Sequence, residues 1–214
     1  MQPGIKNNFD KAYDEAFTLA CQRLLEKGLQ SCAENTGAKV EQLTAEHSLI
    51  TLAFLNKTIS ITLPEFIFSS DVLQDIGIWD KILILHYLCN GVASPLQQNL
   101  INFKQLSSGS TYYPSFENRC LKPFIRYYSQ NTVLVIEYLL KHLGGEEVSM
   151  GDWAIKLQAF PSVPIIFVTW KADEEFPAEA NILFDASIER FLSTEDIVVL
   201  CQQIVIGIIK SLKK

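Results

Sequence analysis

The densest run of reactive side chains in this sequence is DEEFPAEANILFDASIERFLSTED, residues 173–196. It holds the acids Asp173, Glu174, Glu175, Glu179, Asp185, Glu189, Glu195 and Asp196 against one base, Arg190. Hard cations need several oxygens at once, and Asp173, Glu175 and Asp185 could supply them if the segment folds back on itself. The same carboxylates, gathered in a cleft with one pKa raised, would suit general acid–base chemistry. The plainer reading is a solvated acidic turn with helix-capping acids, because neighbouring side chains of an extended segment point to opposite faces. Pro161 and Pro164 lead into this region and Pro177 stiffens its exit. Phe176 is expected to turn back into the core as an anchor, with ligand contact as the alternative.

A second group is basic and aromatic. Arg119, Lys122 and Arg126 fall three and four apart, on one helical face, near Tyr112, Tyr113, Tyr127 and Tyr128. Arginine with tyrosine suits carboxylates, phosphates and planar rings. Pairing of Arg119 with the acidic segment is the competing expectation. His86 lies in ILILHYLCN with Cys89 one turn on. Imidazole and thiolate bind zinc, iron or cobalt, but two ligands are an incomplete site, and a satisfied core histidine is the simpler expectation. His47 and His142 read as surface residues. No G-x-S-x-G, H-E-x-x-H, glycine-rich phosphate loop or cysteine cluster is present. Catalysis is therefore left open, and no cofactor follows from the residues.

Composition narrows the classes. In 214 residues, 48% are hydrophobic and 20% charged, as in globular proteins. A net charge of −6 argues against a dedicated nucleic-acid binder. Five cysteines, with no C-x-x-C, read as free thiols in a reducing cytoplasm. The start, MQPGIKNNFDKAYDEAF, lacks the basic-then-apolar pattern of a secretory signal. VPIIFVTW and IVIGII fall short of the roughly 20 residues that span a bilayer. A soluble, cytoplasmic protein with no membrane partner is expected.

These residues must be held by the following elements. An apolar stripe from Phe9 to Leu25 predicts a helix over 8–34, stopped by Asn35 and Gly37. Period-two patterning around Val40 and over 48–55 and 57–63 predicts strands, with a tight hairpin at Asn56 and Lys57. Residues 65–69 could add an edge strand. A helix is expected over about 78–90, then a polar loop over about 91–112, long enough to suggest function or mobility. Pro114 is expected to start a helix that Pro123 restarts or kinks. Residues 131–143 read as a helix, 153–160 and 163–170 as strands, and 181–185 as a short strand. Ser193 and Asp196 cap a last helix over 195–212. Without βαβ alternation the class is α+β. Antiparallel sheets from the N-terminal hairpin region and the C-terminal strand group would pack with about five helices in a single domain, 1–214.

Several short motifs occur in a fixed order: LHYL (85–88), Tyr112 with Phe116, Pro161 and Pro164, W-x-x-DEEFPA (170–178) and ILFD (182–185). In these the chain resembles an uncharacterised domain family, a domain of unknown function, of anaerobic bacteria and archaea, over about residues 70–200. The resemblance implies no activity and no catalytic residues. Asp173, Glu174, Glu175, Phe176 and Asp185 are the positions that match its signature. Some relatives are similar domains joined to an iron–sulfur segment of the kind found in corrinoid proteins of one-carbon metabolism, and this chain has no cysteine-rich segment of that kind. The resemblance implies an accessory or ligand-binding domain of anaerobic metabolism, beside a corrinoid or iron–sulfur partner. The residues themselves also allow a protein–protein adaptor using Tyr112 and Tyr113, or an enzyme using the carboxylates of 173–185. The candidate ligand-contacting set is Asp173, Glu174, Glu175, Phe176, Asp185, His86, Tyr112 and Arg119.

Overall fold

The computed structural model describes residues 8–72 and 75–213. Residues 1–7, on which the reading of the N-terminus partly rests, lie outside them, as does the Phe9 side chain. The architecture is α+β, with two antiparallel sheets. The first sheet is a meander of β1 (Lys39–Gln42), β2 (Ser48–Phe54), β3 (Lys57–Leu63) and β4 (Ile67–Ser70). The second has the order β5-β9-β8-β7-β6. Its strands are β5 (Leu100–Asn102), β6 (Glu146–Glu147), β7 (Trp153–Phe160), β8 (Val163–Trp170) and β9 (Glu179–Asp185).

Alternation decides which faces meet. Ile50, Leu52 and Phe54 of β2 and Ile59, Ile61 and Leu63 of β3 are buried, while the residues between them are not. β8 lies between β7 and β9, so nearly every position of it is buried. Its Val163, Ile165 and Phe167 join the main core, whereas Ile166 and Val168 join a small cluster with Ala154 on the other face. Each fully buried Ile or Phe contributes about 1.5–3 kcal/mol. The sheets touch where Leu55 N donates to Ala159 O at 3.0 Å.

Helices cover this frame. The expected first helix is two, α1 (Asn8–Lys27) and α2 (Leu29–Thr36), broken at Gly28, whose φ of 88° is easily reached only without a side chain. α3 (Ile78–Asn90) runs through the core. Its Tyr87 ring stacks on Phe160 at 4.1 Å and Phe191 at 5.7 Å. The Tyr87 hydroxyl donates to Thr36 O at 2.7 Å and accepts from Ser162 N at 3.3 Å. α4 (Gly109–Phe116) leads through a π-helical turn, Glu117–Leu121, into α5 (Lys122–Gln130). Pro123 explains the wide turn: its ring has no N–H to give and crowds the carbonyl four residues back. α6 (Thr132–Glu137) ends in a second π-helical turn, Tyr138–His142. α7 (Thr194–Ser211) begins at the Ser193–Asp196 capping box, as the spacing predicts.

Other expectations fail here. The polar stretch 91–112 is not one long loop, because Leu100–Asn102 pairs with β9 and a capping box between Asn102 and Gln105 opens a 3₁₀ turn, Phe103–Gln105. The hairpin turn sits at Leu55 and Asn56, with φ values of 47° and 62°, one residue earlier than expected. No helix among the described residues is long and apolar enough to cross a membrane.

Candidate functional site

The acidic segment does not form a hollow. β8 and β9 pair up to Trp170 and Glu179, so residues 171–178 loop beyond the sheet. Asp173 Oδ1 accepts from Glu175 N at 2.9 Å and from Phe176 N at 2.7 Å, while Asp173 N donates to Phe176 O at 3.0 Å. The turn satisfies itself, with no core beneath it. The backbone donors from Phe176 and Glu175 hold the Asp173 carboxyl below its ordinary value. Phe176 is 63% exposed, so the anchor expectation is overturned. Asp173, Glu174 and Glu175 are exposed beside it.

Asp185 cannot join them. It stands at the far end of β9 from the turn, about 20 Å away at roughly 3.3 Å per residue. Its buried carboxylate accepts instead from Gln97 N (3.0 Å), Gln98 N (2.8 Å), Ser187 N (2.9 Å) and Ser187 Oγ (2.6 Å). Burial acts to raise this carboxyl, but its four donors outweigh burial and hold it below the ordinary value. No group of three or more His, Cys, Asp or Glu placed to hold a metal ion occurs among the described residues.

Arg119 pairs internally, as one expectation had it. Its guanidinium donates to Gln202 Oε1 at 2.6 and 2.8 Å and to Glu195 Oε1 at 3.0 Å. His86 meets no cysteine ligand. Its Nδ1 lies 2.7 Å from Asp196 Oδ1, and its side chain is 28% exposed. Ser193 Oγ donates to Asp196 Oδ2 at 2.6 Å. Serine, aspartate and histidine thus form a chain with the carboxylate in the middle, the wrong order for a nucleophile that needs the imidazole as base. Tyr112 lines a shallow hollow with Ser108, Ser193 and Glu195. A groove of about 440 Å³ lies nearby, walled by Tyr113, Trp170, Lys104 and Lys122, with Lys104 Nζ 4.0 Å from the Tyr113 ring centroid. All five cysteines are free and buried. Burial pushes the thiols of Cys21 and Cys89 up to about 11 and that of Cys120 up to about 12, so none of these three is poised as a nucleophile.

The arrangement best suited to chemistry involves residues that the sequence did not single out. A cleft opens where the β2–β3 hairpin, β4, the start of α3, the second π-helical turn and the C-terminal half of α7 meet. One part holds about 110 Å³ and contains Asp80, Asp75, Ser70 and Gln203. The adjoining part holds about 580 Å³ and contains Asn56, Lys141, His142 and Ser211. Lys57, Tyr138, Gly207 and Lys210 line both. Asp80 Oδ1 is buried with no hydrogen-bond partner among the described residues. Burial raises the Asp80 carboxyl above its ordinary value, against the opposing pull of Lys57 and Lys210. Burial likewise raises Tyr138, and the Asp80 charge adds to that.

Two backbone features shape this cleft. The wide π-helical turn begins at Tyr138, and such turns often occur at functional sites. Gly207 lies mid-helix, where glycine costs about 0.5–1 kcal/mol relative to alanine. A Cβ there would collide with the Tyr138 hydroxyl. The helix gives up that stability where the tyrosine must reach across it.

The chain belongs to the family described as Domain of unknown function (DUF3786), whose model matches residues 28–206. No curated protein and no solved structure matches it.

Proposed function

We propose that this DUF3786 domain is a ligand-binding module, and that it holds a small polar molecule in the cleft floored by Asp80. One observation carries the proposal: Asp80, whose buried Oδ1 has no hydrogen-bond partner among the described residues, lines a cavity together with Tyr138 and two lysines. Leaving such an oxygen unsatisfied costs about 1–3 kcal/mol, a cost that a ligand's donor would remove. The cleft supplies polar contacts and a raised carboxyl, but no nucleophile with a base beside it, which favours binding over catalysis. Carboxylate chemistry at 173–185 loses its basis, since those side chains stand apart. An accessory role beside a corrinoid or iron–sulfur protein is carried by the resemblance alone, and nothing in the cleft argues for it.

The test is a thermal-shift panel of small metabolites on the full chain, with Gly207→Ala as the control. A ligand at a hundred times its Kd adds about 2.7 kcal/mol, or about 5–11 °C for a chain of this size. Gly207→Ala displaces the Tyr138 hydroxyl while improving helix propensity, so it should fold and lose the shift. A panel with no hit, or a shift that Gly207→Ala leaves intact, refutes the proposal.

One observation favours an adaptor as the second reading. Trp170 (42% exposed), which lines the Tyr113 groove, and Phe176 (63% exposed) flank the acids of the turn. Exposed aromatics of this kind are enriched at protein interfaces. A Trp170→Ser, Phe176→Ser double variant that leaves binding to a purified partner unchanged would end this reading.

A further inference from the structure

Resting on the adaptor reading and apart from the Asp80 cleft, we infer that the open edge of β9 is a docking slot for an extended, basic segment of another protein, taken up as one more strand of the second sheet.

β8 pairs with β9 from Phe184 to Glu179. On its other side β9 meets β5, whose three residues cover only Leu183 to Asp185. No strand among the described residues lies beside Glu179–Asn181 on that side. Ala186 N donates to Asn99 O at 2.9 Å, so every second residue back along β9, namely Phe184, Ile182 and Ala180, turns its backbone toward the same side. Ile182 N is met by Asn181 Oδ1 at 2.9 Å. Ala180 is the next such position, beyond the reach of β5. A sheet edge left open in this way is a template for another chain.

The space beside that edge suits a strand. Asn102, Phe103 and Lys104, where β5 gives out, line the groove of about 440 Å³ together with Ala180 and Asn181. Ala180 shares a face of β9 with the core residues Ile182 and Phe184, and it packs against that core as Tyr113 and Ile125 of the groove do. A guest residue opposite Ala180 takes the same face and meets these apolar side chains. Its neighbour, opposite Glu179, takes the other face.

Charge selects the guest. Residues 171–179 carry four acids against Lys171, and Asp173, Glu174, Glu175 and Glu179 are all exposed. The lysines of the groove are already engaged: Lys122 pairs with Glu117 at 2.9 Å, and Lys104 lies over the Tyr113 ring. Cross-strand partners of opposite charge stabilise a sheet, so a basic residue belongs opposite Glu179 and an apolar one opposite Ala180.

Fluorescence polarisation with a labelled heptapeptide of alternating valine and lysine, valine at both ends, tests this on the full chain. It should bind at least tenfold more tightly than the same peptide with glutamate for lysine. Backbone methylation separates strand pairing from plain charge attraction. In the added strand the valine amides face Ala180 and the lysine amides face away. N-methylation of the valines should therefore weaken binding at least fivefold more than N-methylation of the lysines. Glu179→Lys, at an exposed position, should weaken the basic peptide and strengthen the acidic one, each at least threefold. Ala180→Pro removes the edge N–H and should cost at least tenfold; if it fails to fold, the methylated pair and Glu179→Lys still decide. Absence of binding, equal affinities of the basic and acidic peptides, or equal affinities of the two methylated forms overturns the inference. So does a dimer in sedimentation that Ala180→Pro disperses, which would seat a second copy in the slot. Binding of the basic peptide that is lost in the Trp170→Ser, Phe176→Ser variant while both methylated forms bind alike would overturn strand addition and leave the adaptor reading standing.

Discussion

Replacing Asp80 by leucine should make the protein more stable at neutral pH. An ordinary core substitution destabilises, but here the native side chain is the strained one. Asp80 Oδ1 is buried without a partner among the described residues, and a buried unsatisfied group costs about 1–3 kcal/mol. Leucine has the same branching and needs no partner. The expected gain is therefore about 1–3 kcal/mol, or roughly 2–4 °C in Tm per kcal/mol for a chain of this size. The gain should depend on pH, and its sign follows from the raised carboxyl. Below the unfolded pKa, near 3.9, folded and unfolded states both hold the proton. As pH rises through that value the unfolded carboxyl ionises first, while the folded one keeps its proton because burial raises its pKa. The unfolded state then binds fewer protons, so native stability falls with pH until the folded carboxyl also ionises. Leucine removes this loss. The groups around Asp80 that could blur the effect are Asp75, Lys57, Lys210 and Tyr138, all retained in the variant. Urea denaturation of both proteins at pH 4 and pH 8 measures the difference. A variant less stable than wild type at pH 8, or an advantage no larger at pH 8 than at pH 4, would refute the reasoning.

Three further outcomes follow from the geometry. Tyr87→Phe keeps the stack on Phe160 and Phe191 but strips Thr36 O and Ser162 N of their partner; it should cost about 1–3 kcal/mol in urea denaturation, and a loss below about 0.5 kcal/mol would contradict the bonding described. Phe176→Ala should change stability by no more than about 0.5 kcal/mol, whereas a loss of about 3–5 kcal/mol would restore the anchor reading. Asp185→Ala frees four donors and should cost about 2–4 kcal/mol at pH 7, since a hydrogen bond to a charged group contributes roughly 1.5–3 kcal/mol. The Asp185 carboxyl lies below its ordinary value when folded, so its contribution is present above the unfolded pKa and lost as pH falls through the folded one; a cost undiminished at pH 2 would refute the role.

Much of the fold was legible because local chemistry and tertiary role agree. β7 and β8 match their expected limits, and Ser193 with Asp196 marks the start of α7. The misses arise where a partner distant in sequence overrides local preference. Nothing in Leu100–Asn102 alone marks a strand; β9 makes it one by offering a free edge. Leu55 takes a left-handed conformation that its residue type disfavours, because its N–H is held by Ala159 O. Gly28 breaks the first helix through a φ that the apolar stripe does not encode. Pro114 does not begin α4 but lies inside it, five residues after its start.

The site was harder to read, and the reason is physical. Reading along the chain rewards concentration, and the acidic run after Trp170 is the most concentrated feature. Yet a run of acids on an exposed turn is at ease: each is hydrated, and Asp173 is satisfied by its own turn. Nothing there is left for a ligand to improve. Asp80 is one acid in IWDKILIL, in the first turn of α3, where favourable interaction with the helix dipole already accounts for it. Its isolation exists only once Tyr138 and Lys210, from distant parts of the chain, close around it. One local sign was present. Gly207 interrupts the apolar run IVIGII at a cost of about 1 kcal/mol in helix propensity. Functional sites break local rules that the rest of a fold obeys. A lone acid in an apolar helix and a glycine inside another are two such breaks, and the fold places both on the wall of one cavity.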